Sequence, residues 1–197
     1  MTGTAGAWDI PSEVCVYTAL IGEHEGLNEQ PAAHGSGIPF ICLTDDPSLR
    51  SDSWEIRRVR PLLGRDPVRS QRAIKLRPHD YLPDFRASLY IDNTVLLRES
   101  PAEILRKYYP RSGFAIPQHS FRHKLADEFI RVYDEGLDEG ARVVEQLNHY
   151  ALIAPDVFEE RPYWAAVQIR DHGNAAVRGL MELWFAHVLR YSRRDQL

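Results

Sequence analysis

The first two thirds of the chain alternate between short apolar runs and polar stretches that carry most of the prolines and glycines. Short apolar runs rich in β-branched and aromatic residues are typical of buried strands. Strands are predicted at Glu13–Ile21, Ile38–Thr44, Ser88–Asp92 and Gly113–Pro117, a more exposed one at Trp54–Val59, and Trp164–Arg170 is also compatible with a strand.

Helices are indicated by capping residues and by apolar residues three or four positions apart. Asp66-Pro67 and Ser100-Pro101 each place a capping side chain before a proline at the first helical position. The predicted helices are Asp66–His79, Ser100–Tyr109, Lys124–Glu135, Glu139–Tyr150 and Asn174–Tyr191. In the last of these, the apolar residues Val177, Leu180, Met181, Trp184, Val188 and Leu189 share one face, which we expect to be core.

The order of these elements predicts an α/β fold. Strands alternate with helices, which favours a mostly parallel central sheet flanked by helices, and the C-terminal part is mainly helical. The length of 197 residues fits one domain. We expect a tail at residues 1–12 and a single domain at residues 13–197.

Composition excludes several classes of function. The net charge of −4 disfavours binding to nucleic acid through a basic surface. No apolar run approaches the roughly 20 residues that span a bilayer. The first residues lack the features of a signal peptide, so a cytoplasmic location is expected. Two cysteines, Cys15 and Cys42, cannot form a disulfide scaffold, and buried thiols are the simpler interpretation.

Polar residues follow several of the predicted buried strands. In parallel sheets, ligands bind beyond the carboxyl ends of the strands. The segments at that edge are Gly22–Gly26, which includes Glu23, His24 and Glu25, then Thr44–Asp46, Asp92–Thr94 and Gln118–His119. Such an edge suits a polar ligand and a divalent cation.

Three groups of residues are candidates for chemistry, and each has a simpler alternative. Asp92 at a strand end is a metal-binding or catalytic carboxylate, or a turn residue. Arg69, Arg72 and Lys75 recur at helical spacing, which suits a cationic clamp for phosphates. The alternative is that they form a solvated helix face. The cluster of His119, Arg122 and His123 suits metal binding or acid catalysis, or is structural.

Common catalytic motifs are absent from the sequence. It contains no Walker A motif, no Gly-x-Gly-x-x-Gly fingerprint, no Gly-x-Ser-x-Gly elbow, no His-Glu-x-x-His helix and no paired Cys-x-x-Cys. P-loop hydrolysis, dinucleotide-dependent redox chemistry, serine hydrolysis and zinc proteolysis are therefore disfavoured.

The order of several short segments resembles a family of glycosyltransferase-like domains. That family occurs in bacterial polysaccharide-associated proteins and in plant mucilage and turgor proteins. The segments are Val16–Ala19, Pro39–Asp46, Trp54–Ile56, Lys75–His79, Ser88–Asp92, Gln118–Arg122, Asp127-Glu128, Gln146, Tyr150, Trp184 and Ser192–Leu197. The family is similar to GT-A glycosyltransferases of the glycogenin and galactosyltransferase type, so the resemblance implies a GT-A-like fold.

The resemblance also implies roles for individual residues. Donor-binding residues would be Thr18, Ala19, Asp45, Arg72, Lys75 and Asn93, of which the first three would touch the nucleoside. Asp92 would begin the metal motif, with His119 or His123 as a later ligand of Mn²⁺ or Mg²⁺. Asn93 and Thr94 follow Asp92, so the second acid of an Asp-x-Asp motif is missing and metal dependence stays open. Asp195 and Gln196 match an Asp-Gln pair on the acceptor side and would be catalytic.

The function implied by the resemblance is transfer of a sugar from a nucleotide-diphosphate sugar to an acceptor. The acceptor is a sugar or another small molecule, and neither the donor sugar nor the stereochemistry follows from the sequence. The alternative is a non-catalytic nucleotide- or sugar-binding or assembly protein on the same fold. A homo-oligomer or a partner is expected to complete the C-terminal edge of the site.

Overall fold

The computed structural model describes residues 11–22 and 26–197. Residues 1–10, which form most of the expected tail, lie outside the described residues. The same holds for Glu23, His24 and Glu25 of the polar edge.

The described residues form six strands, six α-helices and two short 3-10 helices. The strands are β1 Val14–Leu20, β2 Phe40–Thr44, β3 Glu55–Arg58, β4 Ala87–Ile91, β5 Phe114–Ala115 and β6 Val167–Asp171. The α-helices are α1 Pro67–Leu76, α2 Pro78–Tyr81, α3 Pro101–Tyr108, α4 Leu125–Asp134, α5 Gly140–Ile153 and α6 Ala175–Arg190. The 3-10 helices are Pro31–Ala33 and Pro155–Glu159.

The strands form one sheet in the order β3-β2-β1-β4-β6-β5. The first four strands in that order run parallel to their neighbours. β6 is antiparallel to both β4 and β5. The predicted α/β fold class with a mostly parallel central sheet is therefore confirmed.

The three central strands are buried along their whole length because both faces of the sheet are covered. Every residue of β1, β2 and β4 is buried. One face packs Val16, Phe40 and Leu89, and the other packs Tyr17 and Ile74 of α1. Continuous apolar runs are what such doubly covered strands require.

The predicted helix starts are confirmed at both cap-and-proline sites. The carboxylate of Asp66 accepts a hydrogen bond of 2.9 Å from the backbone N–H of Arg69. The hydroxyl of Ser100 accepts one of 3.3 Å from the backbone N–H of Glu103. Each bond satisfies a donor that the first helical turn would otherwise leave unpaired.

The buried face of α6 differs from the expected one. Val177, Met181 and Val188 are buried as predicted. Leu180 and Leu189 are instead each 45% exposed. Phe185, which the predicted face omits, is buried, because α6 turns this side chain towards Ala73 and Leu76 of α1.

The two cysteines are buried and unbridged, as expected. Burial raises the pKa of each thiol to about 12, so neither is a reactive thiolate at neutral pH. Within residues 11–22 and 26–197, no helix has both the length and the apolar character needed to cross a membrane.

Candidate functional site

A cleft opens where the direction of strand connection reverses. From β1 the chain moves to β2 on one side, and it later returns to β4 on the other side of β1. This reversal is the topological switch point at which α/β sheets bind ligands. The cleft there, which we call the switch-point cleft, has a volume of about 360 Å³.

The walls of the switch-point cleft come from four parts of the chain. Ala19 to Gly22 end β1, and Asp92 to Thr94 follow β4. Gln71 and Arg72 project from α1, and Arg193 and Arg194 come from the segment after α6. Gly22 and Asp92–Thr94 of the predicted polar edge therefore meet at one cleft, and the C-terminal segment adds basic side chains to it. Thr44–Asp46 and Gln118–His119, which were predicted at the same edge, do not line this cleft.

A buried network of charges lies beside this cleft. The ammonium of Lys75 lies 2.6 Å from Oδ2 of Asp195 and 3.2 Å from Oδ1 of Asp92. Nε of Arg72 lies 3.1 Å from Oδ1 of Asp195. Four of the residues that the sequence implicated, from α1, the end of β4 and the C-terminal segment, thus meet in one network.

Asp195 is the centre of this network. Burial alone would raise the pKa of its carboxyl, but Arg72 and Lys75 outweigh burial and hold that pKa well below its ordinary value. The side chain is only 5% exposed. A permanently ionised, enclosed carboxylate is suited to holding Arg72 and Lys75 in place rather than to accepting a proton.

Asp92 is more accessible than Asp195 and lines the cleft. Its side chain is 34% exposed. Both Lys75 and the hydroxyl of Tyr90 contact Oδ1, and neither contact uses Oδ2. Burial and the charge of Asp92 raise the pKa of Tyr90 well above its ordinary value, so this hydroxyl stays protonated and donates.

Asn93 fixes the loop that follows the first strand. Its Oδ1 accepts a hydrogen bond of 2.7 Å from the backbone N–H of Asn28, and its Nδ2 donates to the carbonyl of Gly26 at 2.8 Å. The side chain of Asn28 donates back to the carbonyl of Asn93 at 3.0 Å. Asn93 lines the cleft, and these bonds give it a structural task. Its contact with a donor stays a prediction.

Asp45 performs a similar task at the end of β1. Its carboxylate accepts a hydrogen bond of 3.0 Å from the backbone N–H of Gly22. Gly22 has a φ of 83°, a conformation that side chains with a Cβ rarely adopt. Asp45 and the glycine together set the path of the chain at the rim of the cleft.

The two remaining nucleoside-contact predictions differ in accessibility. Ala19 lines the cleft. Thr18 does not line it and has no exposed surface, and its hydroxyl has no hydrogen-bond partner among the described residues. Its predicted contact with the nucleoside stays a prediction.

The structure does not bring the three predicted metal ligands together. Within the part of the chain described, the one group of three or more ligand atoms within 4.8 Å of one another is His79, Asp80 and Glu182, and Asp92 is not in it. Those two carboxylates are already paired with Arg77. A ready-made site of Asp92 with His119 and His123 is therefore absent from residues 11–22 and 26–197.

The two histidines have other surroundings. His119 is buried, and its Nδ1 accepts a hydrogen bond of 3.2 Å from the backbone N–H of Arg122. Burial lowers the pKa of His119, so it is neutral at pH 7. His123 is exposed in the following loop. By contrast, the accessible Asp92 can supply one carboxylate oxygen to Mg²⁺ or Mn²⁺, which are commonly held by one or two carboxylates together with substrate phosphates.

Arg194 is a site residue that the sequence reasoning did not single out. It lines the switch-point cleft, and its Nε is buried without a hydrogen-bond partner among the described residues. Its charge also helps to lower the pKa of Asp195. Arg193 lies in the same wall and pairs with Asp138 at 3.1 Å. The signal in the sequence was the run Arg193-Arg194 directly before Asp195.

A second and larger cavity lies on the other side of the C-terminal segment. Its volume is about 730 Å³, and apolar side chains from β5, α4, α5 and α6 form most of its wall. Gln196, Asp195 and Arg194 line one part of it. Trp184, which we expected to be core, also lines this cavity and donates from its indole Nε1 to the carbonyl of Asp195 at 3.1 Å. We call this space the apolar cavity.

A known protein family matches most of this chain. The family model described as "TOD1/MUCI70, glycosyltransferase-like domain" matches residues 43–197, which include α1, β4 and the C-terminal segment of the site. The resemblance to this family inferred from the sequence is therefore confirmed. No curated protein matches the chain significantly.

Several solved structures are similar to this chain, including two glycosyltransferases. The apo structure of the bifunctional glycosyltransferase WbbM shares 10% sequence identity, with a TM-score of 0.49 over 95% of this chain and 37% of WbbM. Apo mouse xyloside xylosyltransferase 1 also shares 10% identity, with a TM-score of 0.45 over 95% of this chain and 75% of that enzyme. The chain thus spans little more than a third of WbbM.

Proposed function

The chain belongs to the TOD1/MUCI70 family of glycosyltransferase-like domains, and we propose that it transfers a sugar from a nucleotide-diphosphate sugar to a hydroxyl of an acceptor. One observation carries this proposal. Ion pairs connect four side chains beside the switch-point cleft, namely Arg72, Lys75, Asp92 and Asp195. Arg194 lies in the wall of the same cleft.

The basic side chains of the cleft suit a diphosphate. Guanidinium groups bind phosphate oxygens through paired hydrogen bonds. Arg194 has a buried Nε without a partner among the described residues, so a ligand oxygen would satisfy a donor that is otherwise costly to bury. Arg72 would stand beside it, and Asp195 acts as the positioning residue that holds Arg72 and Lys75.

The nucleoside would occupy the part of the cleft formed by the end of β1. Ala19 lies in that wall, and Asp45 fixes the adjacent turn through Gly22. Asn93 would border the same ligand while it holds the loop at Asn28. Ala19 and Gly22, with little or no side chain, favour the close approach of a ribose and a base at this point.

A divalent ion, if bound, would be held by Asp92 and by the diphosphate of the donor. It would supply positive charge that stabilises the leaving diphosphate. The chain itself offers Lys75 and Arg72 for the same purpose from beneath the cleft. His119 and His123 have no part in this arrangement.

The proposed reaction exchanges one C–O bond for another. The bond between the anomeric carbon of the sugar and the diphosphate oxygen breaks, and its electron pair leaves with the nucleoside diphosphate. The acceptor oxygen forms the new bond to the same carbon, and its proton is released with the nucleoside diphosphate. Cationic groups that contact the leaving oxygens lower the barrier because negative charge accumulates there. Gln196 would orient the acceptor from the adjoining wall.

The first test is a thermal-shift panel of nucleoside diphosphates and nucleotide sugars, with Mn²⁺ and with EDTA. A ligand at 100 times its Kd stabilises the folded state by about 2.7 kcal/mol, which raises the Tm of a domain of this size by about 5–10 °C. We expect one class of nucleotide sugar to give such a shift. No shift with any nucleotide, in either buffer, would contradict the proposal.

Turnover separates the enzyme from the binding-protein alternative. The donor that gives the largest shift is incubated with the protein and a mixture of sugar acceptors, and released nucleoside diphosphate is measured. Continuous release that stops when the donor is exhausted supports a transferase. Binding without release supports the non-catalytic alternative on the same fold.

A further inference from the structure

We propose that the acceptor is an amphiphile whose polar, hydroxyl-bearing part faces the switch-point cleft and whose apolar group fills the apolar cavity. This inference rests on the proposed function, because only a transferase has an acceptor. The binding of such an amphiphile can be measured without any donor.

The apolar cavity has the size and the lining of a small-molecule site. Its volume of about 730 Å³ is twice that of the switch-point cleft, at about 360 Å³, and falls within the range in which drug-sized ligands are bound. Phe114, Leu125, Val157, Trp184 and Val188 are among the side chains of its wall. A free sugar, which carries hydroxyls all round, is a poor match for so much apolar surface.

The polar part of the wall lies next to the proposed donor. Arg194 lines both spaces, and Asp195, which lines the apolar cavity, is ion-paired to Lys75 and Arg72 beside the cleft. A ligand that spans this boundary needs a polar group at the Asp195 end and an apolar group elsewhere. That division is the definition of an amphiphile.

Exposed apolar side chains also line the cavity. Leu180 is 45% exposed and Leu183 is 58% exposed, although both belong to a helix that packs against the core. Tyr163, also exposed, faces the same space. Large apolar side chains grouped around a cavity indicate a surface that a ligand covers.

A polar relay in the wall supplies a further contact for the head of the ligand. Nε2 of Gln146 lies 3.4 Å from the hydroxyl of Tyr150, which lies 2.7 Å from Nδ1 of His187. Burial lowers the pKa of His187, so the ring is neutral at pH 7. All three residues line the cavity, so its wall carries uncharged polar groups that can hydrogen-bond an ether or hydroxyl oxygen.

The test compares two glucosides that differ only in their aglycone. We titrate n-octyl β-glucoside, below its critical micelle concentration, and methyl β-glucoside into the full chain without nucleotide and record heats of binding. We expect saturable one-to-one binding of the octyl glucoside, at least tenfold tighter than that of the methyl glucoside. Equal affinity for the two glucosides, or no binding of the octyl glucoside, would overturn the proposal.

Two leucines of the same helix provide the matched variants. Leu180 lines the cavity and Leu189 does not, yet each is 45% exposed on α6. Leu180→Asp should weaken octyl glucoside binding at least tenfold, and Leu189→Asp should leave it within twofold. Leu183→Asp serves as a second cavity variant if the first does not fold. Equal effects of the cavity and control variants would show that the octyl chain binds elsewhere.

This test is independent of donor binding. If the octyl glucoside binds as expected while no nucleotide shifts the Tm, the proposed transferase function fails and the cavity remains an amphiphile site. If a nucleotide sugar binds and the octyl glucoside does not, the transferase proposal stands and the amphiphile proposal is wrong.

Discussion

The ammonium of Lys75 lies 2.6 Å from Oδ2 of Asp195, and the two side chains are 2% and 5% exposed. This contact joins the last turn of α1 to the segment that follows α6. Two charges so fully removed from water are stable only while each keeps its partner. The contact therefore fixes the C-terminal segment, with Arg194 and Gln196, against the sheet edge that carries Asp92.

Loss of the Asp195 charge should destabilise the fold. Asp195→Asn leaves Lys75 and Arg72 without their shared counter-charge, and breaking a buried pair in this way costs about 3–5 kcal/mol. Urea denaturation at pH 7 measures the loss. Asp134→Asn, at an exposed position on α4, is the control and should change the free energy of unfolding by less than about 0.5 kcal/mol. Equal stabilities of the Asp195 variant and the wild type would mean that the ion pair does not hold the segment.

The ion pair between Lys75 and Asp195 also predicts that the stability of the fold depends on pH in the acid range. The pKa of Asp195 is lower in the folded chain than in the unfolded one. The stabilisation of the fold by its carboxylate is therefore complete above about pH 4, and it is lost as the pH falls through the lowered pKa. The stability difference between the wild type and Asp195→Asn should therefore narrow below about pH 4. A difference that stays constant down to pH 2 would contradict this explanation.

His172 should make the fold less stable in mild acid. The imidazole is buried, with Nδ1 3.1 Å from the carbonyl of Phe85 and Nε2 2.8 Å from the hydroxyl of Ser88. Burial, reinforced by the charge of Arg170, lowers the pKa of His172 to about 4. The stabilisation by neutral His172 is therefore fully present above about pH 6.5 and falls as the pH drops towards 4. At pH 5 this group lowers the free energy of unfolding by about 2 kcal/mol.

Urea denaturation at pH 7.5 and pH 5 checks the role of His172. The variant His172→Gln should lose most of this pH dependence, because its amide does not titrate. His34→Gln replaces an exposed histidine and should behave like the wild type. If both variants keep the full dependence, other groups cause it.

Asn93 should resist replacement by an acid. In Asn93→Asp, the carboxylate still accepts the N–H of Asn28 but can no longer donate to the carbonyl of Gly26. Loss of this partly buried hydrogen bond costs about 0.5–1.5 kcal/mol, which chemical denaturation measures. Asn148→Asp on α5, where the side chain is exposed, controls for the charge. A more stable Asn93→Asp protein would contradict the structural role assigned to Asn93.

Metal dependence of donor binding should depend on Asp92 and not on the histidines. We expect Mn²⁺ to tighten binding of the donor to the wild type, and Asp92→Asn to bind it with the same affinity in Mn²⁺ as in EDTA. His123→Ala should retain the wild-type response to Mn²⁺, since this exposed side chain lies outside the cleft. Loss of the Mn²⁺ effect in His123→Ala alone would instead support His123 as the later ligand that the resemblance implies. Calorimetric titrations in the two buffers give these affinities.

Local patterns along the chain were sufficient to predict much of the fold. The apolar runs of β1, β2 and β4 and the capping residues Asp66 and Ser100 report interactions within a few residues, which the sequence records directly. The antiparallel direction of β6 was not predicted, because strand direction depends on the path of the chain between strands. The prediction of the buried face of α6 was partly wrong, since an apolar side chain on a helix can face either the core or a cavity.

The residues of the candidate site could likewise be predicted where the signal was local, but not where distant segments meet. Asp92 and Arg72 could be selected from their place at a strand end and on a helix face. Their connection through Asp195 could not be derived from spacing, because it joins segments that are distant in the chain, and only the family resemblance brought Asp195 into consideration. Spacing also could not show that Asp92, His119 and His123 form no compact group of ligand atoms in the described residues. Arg194 was missed because an arginine near a helix end is ordinarily solvated.

The central claim, that the switch-point cleft binds a nucleotide sugar through Arg194, is tested most directly by one calorimetric titration. The donor selected by the thermal-shift panel is titrated into the wild type, into Arg194→Gln, and into Arg106→Gln, which replaces an exposed arginine on α3. We predict that affinity falls at least tenfold in Arg194→Gln and stays within twofold in Arg106→Gln. Equal affinities in all three proteins would contradict the account.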